Sequence, residues 1–134
     1  MEEVVVFGTG GQARSVLQAM ELIGGYRIVG LIDDNRAVGS ELFGYKVLGG
    51  IADLKRIGIG RGMIGIGDNW QRKQVADKVA AVCPDFRYVT LIDPLCKIQK
   101  RDVVIGEGTK IVSFAVIDNT TTIGKHCVIA TQTL

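Results

Sequence analysis

The residues best suited to chemistry fall in three short clusters, each closing an apolar run: Gly8-Thr9-Gly10-Gly11-Gln12-Ala13, Asp33-Asp34 and Gly67-Asp68-Asn69. The first has the form Gly-x-Gly-x-x-Ala between a predicted strand and a predicted helix, the spacing of a dinucleotide-binding turn. Gly8 permits the tight turn, and Gly10 lets main chain approach a diphosphate. A helix starting near Gly11 points N–H groups and partial positive charge at such a ligand. Asp33 lies twenty residues beyond Ala13, where a carboxylate can hold ribose hydroxyls. Asn69 can touch a ligand or cap the following helix. Ligands of open α/β sheets sit outside the carboxyl ends of the strands, so three such ends together outweigh any single motif.

Three occupants of the glycine loop stand open. A nicotinamide dinucleotide fits the fingerprint. A nucleotide-sugar fits equally, because the physics asks only for a diphosphate at a helix N-terminus. The loop can also turn tightly and bind nothing, with Asp33 and Asp34 serving as turn and cap residues. Against the nicotinamide stand the shortness of the domain, the lack of a Tyr-x-x-x-Lys set and the repeats that follow. A non-catalytic nucleotide-binding module is the third functional class.

These clusters need elements to position them. Glu3 to Phe7 reads as a buried parallel strand. Ala13, Val16, Leu17 and Met20 form one apolar helical stripe, which Gly24-Gly25 ends. Arg27 to Ile32 is a second strand, completing a βαβ unit. A short strand is expected at Tyr45 to Leu48 and a short helix at Ile51 to Arg56. Gly62 to Ile66 is a third main strand, followed by a helix to about Val82 that Pro84 closes. Phe86 to Ile92 reads as a last strand. Asp93-Pro94 is a turn signal and the expected domain boundary.

Beyond it an isoleucine returns every sixth residue: Ile105, Ile111, Ile117, Ile123 and Ile129. Four positions after each comes Thr109, Ala115, Thr121, Cys127 or Thr133. A period of six fits neither helix nor plain strand. It fits a coil of short parallel strands whose aliphatic side chains stack inside. The pattern halts at Leu134 in mid-repeat, which reads as a chain cut inside its second domain. The expected architecture is therefore α/β: a small Rossmann-like parallel sheet over residues 1–93, then the first coils of a parallel β-helix over 94–134.

Composition narrows the partners. The 134 residues are 47% hydrophobic and 22% charged, with a net charge of +2 and no basic cluster. Nucleic acid and anionic membrane are poor partners for such a surface. No apolar run approaches a membrane span, and the start, Met1-Glu2-Glu3, is acidic where a signal peptide is basic. A cytoplasmic protein is expected. Cys83, Cys96 and Cys127 form no CxxC and read as reduced, apolar thiols with no metal site.

In order, VVVFGTGGQA at 4–13, GLIDDN at 30–35, GYKVLGG at 44–50, MIGIGDNWQRKQV at 63–75 and the hexads from IGEGTK onward carry a resemblance that covers nearly the whole chain. The chain resembles the bacterial sialic-acid O-acetyltransferases and UDP-amino-sugar (bacillosamine-type) N-acetyltransferases. The resemblance implies a Rossmann-like domain joined to a left-handed β-helix of hexapeptide repeats. It implies a homotrimer using acetyl-CoA on a nucleotide-linked or sialic-type sugar for surface glycans. It places Gly10, Gly11, Gln12, Asp33, Asp34 and Gly67 at the substrate, and Asn69 joins them as a candidate contact by its place at the third strand end. The family often has Ser-Gly-His where this chain has Gly10, Gly11 and Gln12, so the backbone role carries over. The family base is a β-helix histidine that deprotonates the sugar amine or hydroxyl as it attacks the thioester. By register that histidine falls a few residues beyond Leu134. His126, the one histidine here, is then expected at an outward hexad position, the base being its less favoured alternative role. No catalytic residue is expected within the chain, and the acetyl-CoA site belongs to later coils and a neighbouring subunit.

Overall fold

Glu2–Phe7 forms β1, near the middle of a six-stranded sheet. Val4, Val5, Val6 and Phe7 are all buried, as a parallel strand covered on both faces requires. The computed structural model describes residues 1–129, which divide into one unit of Met1–Tyr88 and a second beginning at Val89. In the first, α1 (Gly11–Ile23) follows β1 and buries Ala13, Val16, Leu17 and Met20, the stripe expected from the sequence. Then come β2 (Tyr26–Ile32), the short β3 (Glu41–Leu42) and β4 (Tyr45–Gly49). A 3₁₀ turn at Ile51–Asp53 leads into α2 (Leu54–Ile57), β5 (Arg61–Ile64), α3 (Asn69–Val82) and β6 (Arg87–Tyr88).

The strand order is β3-β4-β2-β1-β5-β6. Only β3 and β4 pair antiparallel; the other pairs are parallel. From β1 the chain moves outward to β2 and β4, then returns to the opposite side of β1 as β5 and β6. The order therefore reverses between β1 and β5, a topological switch point at which α/β sheets open a crevice. Phe7, Ile64, Val79 and Phe86 pack in one core with Ile51 and Leu54. Phe7 and Phe86 meet edge-on at 5.4 Å.

Phe86 to Ile92 does not make one strand. Arg87–Tyr88 joins β5, while Leu91–Ile92 (β7) pairs with β10 of the second unit. The expected run thus serves two sheets. Its hydrophobicity could not reveal this, since a buried strand looks the same in either.

The second unit consists of short strands: β7, β8 (Lys97–Ile98), β9 (Val103–Ile105), β10 (Lys110–Ile111), β11 (Val116–Ile117), β12 (Thr121–Ile123) and β13 (Val128–Ile129). They pair parallel in three ladders, β7-β10-β13, β8-β11 and β9-β12. Lys110 partners Val128 and Val103 partners Thr121, an offset of eighteen residues, or three hexads, while Leu91 partners Lys110 and Lys97 partners Val116 at nineteen. Ile111, Ala115, Ile117 and Ile123 are buried together, with Ile98, Ile105 and Ile129 packed against them. Positive φ recurs every sixth residue: Asp102 (54°), Gly108 (78°), Phe114 (66°), Thr120 (58°) and His126 (56°). A side-chain-bearing residue takes this conformation at a cost on the order of 1 kcal/mol, and the turn between successive strands demands it at each corner. Buried Thr109 ties the start of β10 to the turn between β12 and β13: its hydroxyl donates to the Gly124 carbonyl (2.8 Å) and accepts from the Cys127 N–H (3.2 Å). Thr133 and Leu134, the end of the expected repeat, lie outside the described residues.

Candidate functional site

A cleft of about 460 Å³ opens at the switch point. Its walls are the loop after β1 (Gly8 to Gln12), the end of β2 (Asp33 to Asn35), the segment after β5 (Gly65 to Gly67), and Gln71, Gln74, Val75 and Lys78 of α3. The glycine loop is built by close packing. Gly8 has φ +104°, and a Cβ there would stand 2.7 Å from the Gly65 carbonyl oxygen. A Cβ on Gly65 would stand 2.7 Å from Ala13 Cα. Small residues thus let the first turn of α1 sit directly on the ends of β1 and β5. Gly10 and Gly11 differ: nothing lies within 4 Å of a Cβ added at either, and neither has a positive φ. The fold does not require glycine there, and the open space borders the cleft.

Gly10 is the N-cap of α1, and no side chain caps that helix or puts an acid in its first turn. The amides and the positive end of the dipole are left for a ligand. Gln12 adds a buried Nε2 with no hydrogen-bond partner, an amide donor at the cleft wall. Both acids are anchored. Asp33 Oδ2 accepts from the Thr9 hydroxyl (2.8 Å), and its Oδ1 accepts from the Asn35 N–H (2.8 Å). Asp34 Oδ1 accepts from the Ile51 N–H (2.8 Å), tying the end of β2 to the 3₁₀ turn. An ionised carboxylate has about four acceptor sites, so each keeps capacity for a ligand.

Residues 3–79 match the family model described as the PglD N-terminal domain. The chain belongs to this family. No curated protein sequence matches it significantly. Among solved structures, PerB from Caulobacter crescentus, in complex with CoA and GDP-perosamine, is 26% identical with a TM-score of 0.82. A variant of perosamine N-acetyltransferase from the same organism, with the same two ligands, is 25% identical with a TM-score of 0.84. Each comparison covers 98% of this chain and 61% of the other. The acetyltransferase domain of PglB from Neisseria gonorrhoeae, in complex with acetyl coenzyme A, shares the fold at 23% identity and a TM-score of 0.79, over 97% of this chain and 62% of that one. The chain thus spans about three-fifths of the length of these structural relatives.

In this PglD-type domain, Gly10, Gly11, Gln12, Asp33, Asp34 and Gly67 all line the one cleft. Asn69 does not line it. Its Oδ1 accepts from Arg72 Nη2 at 2.5 Å. Nor does Asn69 cap α3: the cap is Asp68, whose Oδ1 accepts from the Gln71 N–H at 2.9 Å. A capping oxygen must stand on an extended residue just outside the helix, and Asp68 is extended while Asn69 is already helical. Asp68→Ala is expected to cost about 1 kcal/mol, seen as a lower urea midpoint at unchanged slope. Sequence reasoning missed Arg72, which is buried on a mostly polar helix. Its Nη1 donates to the Ile66 and Gly67 carbonyls (3.0 and 3.2 Å) and so fixes the segment that forms the cleft floor. Gln71, Gln74 and Lys78 were missed as well. Polar residues at helical spacing look like a solvated face until the topology turns that face toward the strand ends.

His126 sits at a corner of the second unit. Its ring lies over Gly108, where a Cβ would overlap it, and its backbone N–H donates to the Glu107 carbonyl (3.0 Å). Among the described residues no cluster of His, Cys, Asp and Glu suits a metal ion, and no helix is long and apolar enough to cross a membrane.

Proposed function

We propose that this chain supplies the nucleotide-sugar-binding domain of an acetyltransferase of bacterial surface glycan synthesis. The enzyme moves acetyl from acetyl-CoA to an amino or hydroxyl group of a nucleotide-linked or sialic-type sugar. The observation that carries this is the uncapped N-terminus of α1, facing a cleft with open glycines on one side and anchored Asp33 on the other. A diphosphate accepts from the amides of α1, and Asp33 accepts from ribose hydroxyls. Gln12 Nε2 donates to a phosphate or sugar oxygen that enters beside it. The Caulobacter relatives, solved with GDP-perosamine and CoA, support the same ligand class.

For the second unit, the eighteen-residue offset of the β10–β13 and β9–β12 pairs and the positive φ at each sixth residue support a left-handed β-helix, and the homotrimer rests on the family resemblance alone. Acetyl-CoA is the acyl donor, and its site and the general base belong to residues of the full enzyme outside 1–134. We do not assign the base to His126, a corner residue whose ring is stacked on Gly108.

Calorimetric titration of the chain with GDP, UDP, CMP and NAD tests the cleft. A nucleoside diphosphate is expected to bind most tightly, and NAD as the tightest ligand would return the loop to nicotinamide chemistry. Asp33→Ala is expected to weaken the best nucleotide about tenfold, the loss of one charge-assisted hydrogen bond, while the melting temperature stays within a few degrees. Unfolding instead would make the carboxylate a structural tie.

A further inference from the structure

Thr9 stands between Gly8 and Gly10 of the loop, where the turn itself asks only for a residue that fits. It is half-buried and lines the cleft with Asp33. Its hydroxyl spans from the end of β1 to the end of β2 and donates to Asp33 Oδ2 at 2.8 Å. The other carboxylate oxygen is taken by the Asn35 N–H. Rotation of an aspartate about its last torsion is soft. One bond leaves that torsion free to swing, whereas two bonds to opposite oxygens, from two loops, fix the plane of the carboxylate. We infer that Thr9 is a positioning residue that sets Asp33 to read the ribose hydroxyls, an inference that rests on the nucleotide reading of the cleft. Thr9 does not touch the ribose. It makes the glycine loop, which faces the diphosphate, and the acid at the end of β2, which faces the sugar of the nucleoside, a single rigid receptor.

The test compares a ribonucleoside diphosphate with its 2′,3′-dideoxy analogue, which keeps base and diphosphate and lacks both hydroxyls. The better of GDP and UDP for the wild-type chain is used throughout, with calorimetric affinities. Thr9→Val keeps the shape of the side chain and removes the hydroxyl. It is expected to weaken the ribonucleotide roughly five- to tenfold, the loss of one oriented hydrogen bond, and to leave the dideoxy analogue within about twofold. The preference for ribose therefore collapses. Thr9→Ser, which restores the hydroxyl, is expected to restore the preference. If Thr9→Val weakens both ligands alike, or neither, Thr9 shapes the loop or does nothing for the ligand, and the inference falls while the nucleotide site stands. It falls in the same way if serine behaves as valine. A wild-type chain that binds both ligands equally removes the ribose role of Asp33 and the inference with it. A wild-type chain that binds no nucleotide overturns the reading of the cleft and the inference together.

Discussion

Gly65→Ala is expected to lower the melting temperature of the first unit by about 10 °C or more. The added Cβ would stand 2.7 Å from Ala13 Cα, 3.1 Å from Ala13 Cβ and 3.2 Å from Ala13 N. Two of these neighbours are main chain and cannot turn aside as a side chain would. Neither partner is free to retreat. Gly65 donates its N–H to the Phe7 carbonyl at 2.8 Å, and α1 is seated by fully buried Val16 and Leu17. Overpacking of a well-filled core costs about 1–3 kcal/mol, and a clash between two backbones belongs at the upper end. A thermal melt followed by circular dichroism reads the loss. An unchanged melting temperature would mean that α1 does not rest on the end of β5. The contact also explains why the glycine loop ends in Ala13: Gly8, Ala13 and Gly65 are the small residues that allow β1, α1 and β5 to converge.

That convergence was only half legible in the chain. Gly-x-Gly-x-x-Ala and the stripe of Ala13, Val16, Leu17 and Met20 are local signals, and they placed β1, α1 and β2 within a residue or two of the observed ends. The hexads were legible because strands eighteen residues apart pair in parallel, so the chemistry repeats where the pairing does. What was hidden depends on which strand lies beside which. The strand ends that open the crevice were legible, but nothing local says that β5 returns to the far side of β1, so the α3 wall of Gln71, Gln74 and Lys78 was not. Arg72 was hidden for a related reason. An arginine inside a polar stretch reads as solvated, and its burial follows from two carbonyls at the end of β5 that no strand pairs. Asp68 and Asn69 are both good caps by composition, and one residue of helix phase decides between them.

Gly11→Leu is expected to have the opposite signature to Gly65→Ala: a fold as stable as the wild type or slightly more so, and nucleotide affinity reduced at least about tenfold. Gly11 is the first residue of α1. Glycine in a helix costs up to about 1 kcal/mol relative to a good helix former such as leucine, less at a terminus where fewer bonds depend on it. A Cβ at Gly11 meets nothing within 4 Å, and its φ is not positive, so neither crowding nor backbone conformation calls for glycine. Gly11 borders the cleft, and its N–H belongs to the uncapped first turn. A side chain there occupies the space through which a diphosphate reaches those amides. Bringing main chain into van der Waals contact with a phosphate is the one role that glycine alone fills at such a position. Paired measurements decide it, melting temperature against calorimetric affinity for the best nucleoside diphosphate. A variant that folds and binds as the wild type does would show that the ligand does not approach the helix N-terminus, and the site would then have to be sought elsewhere along the strand ends.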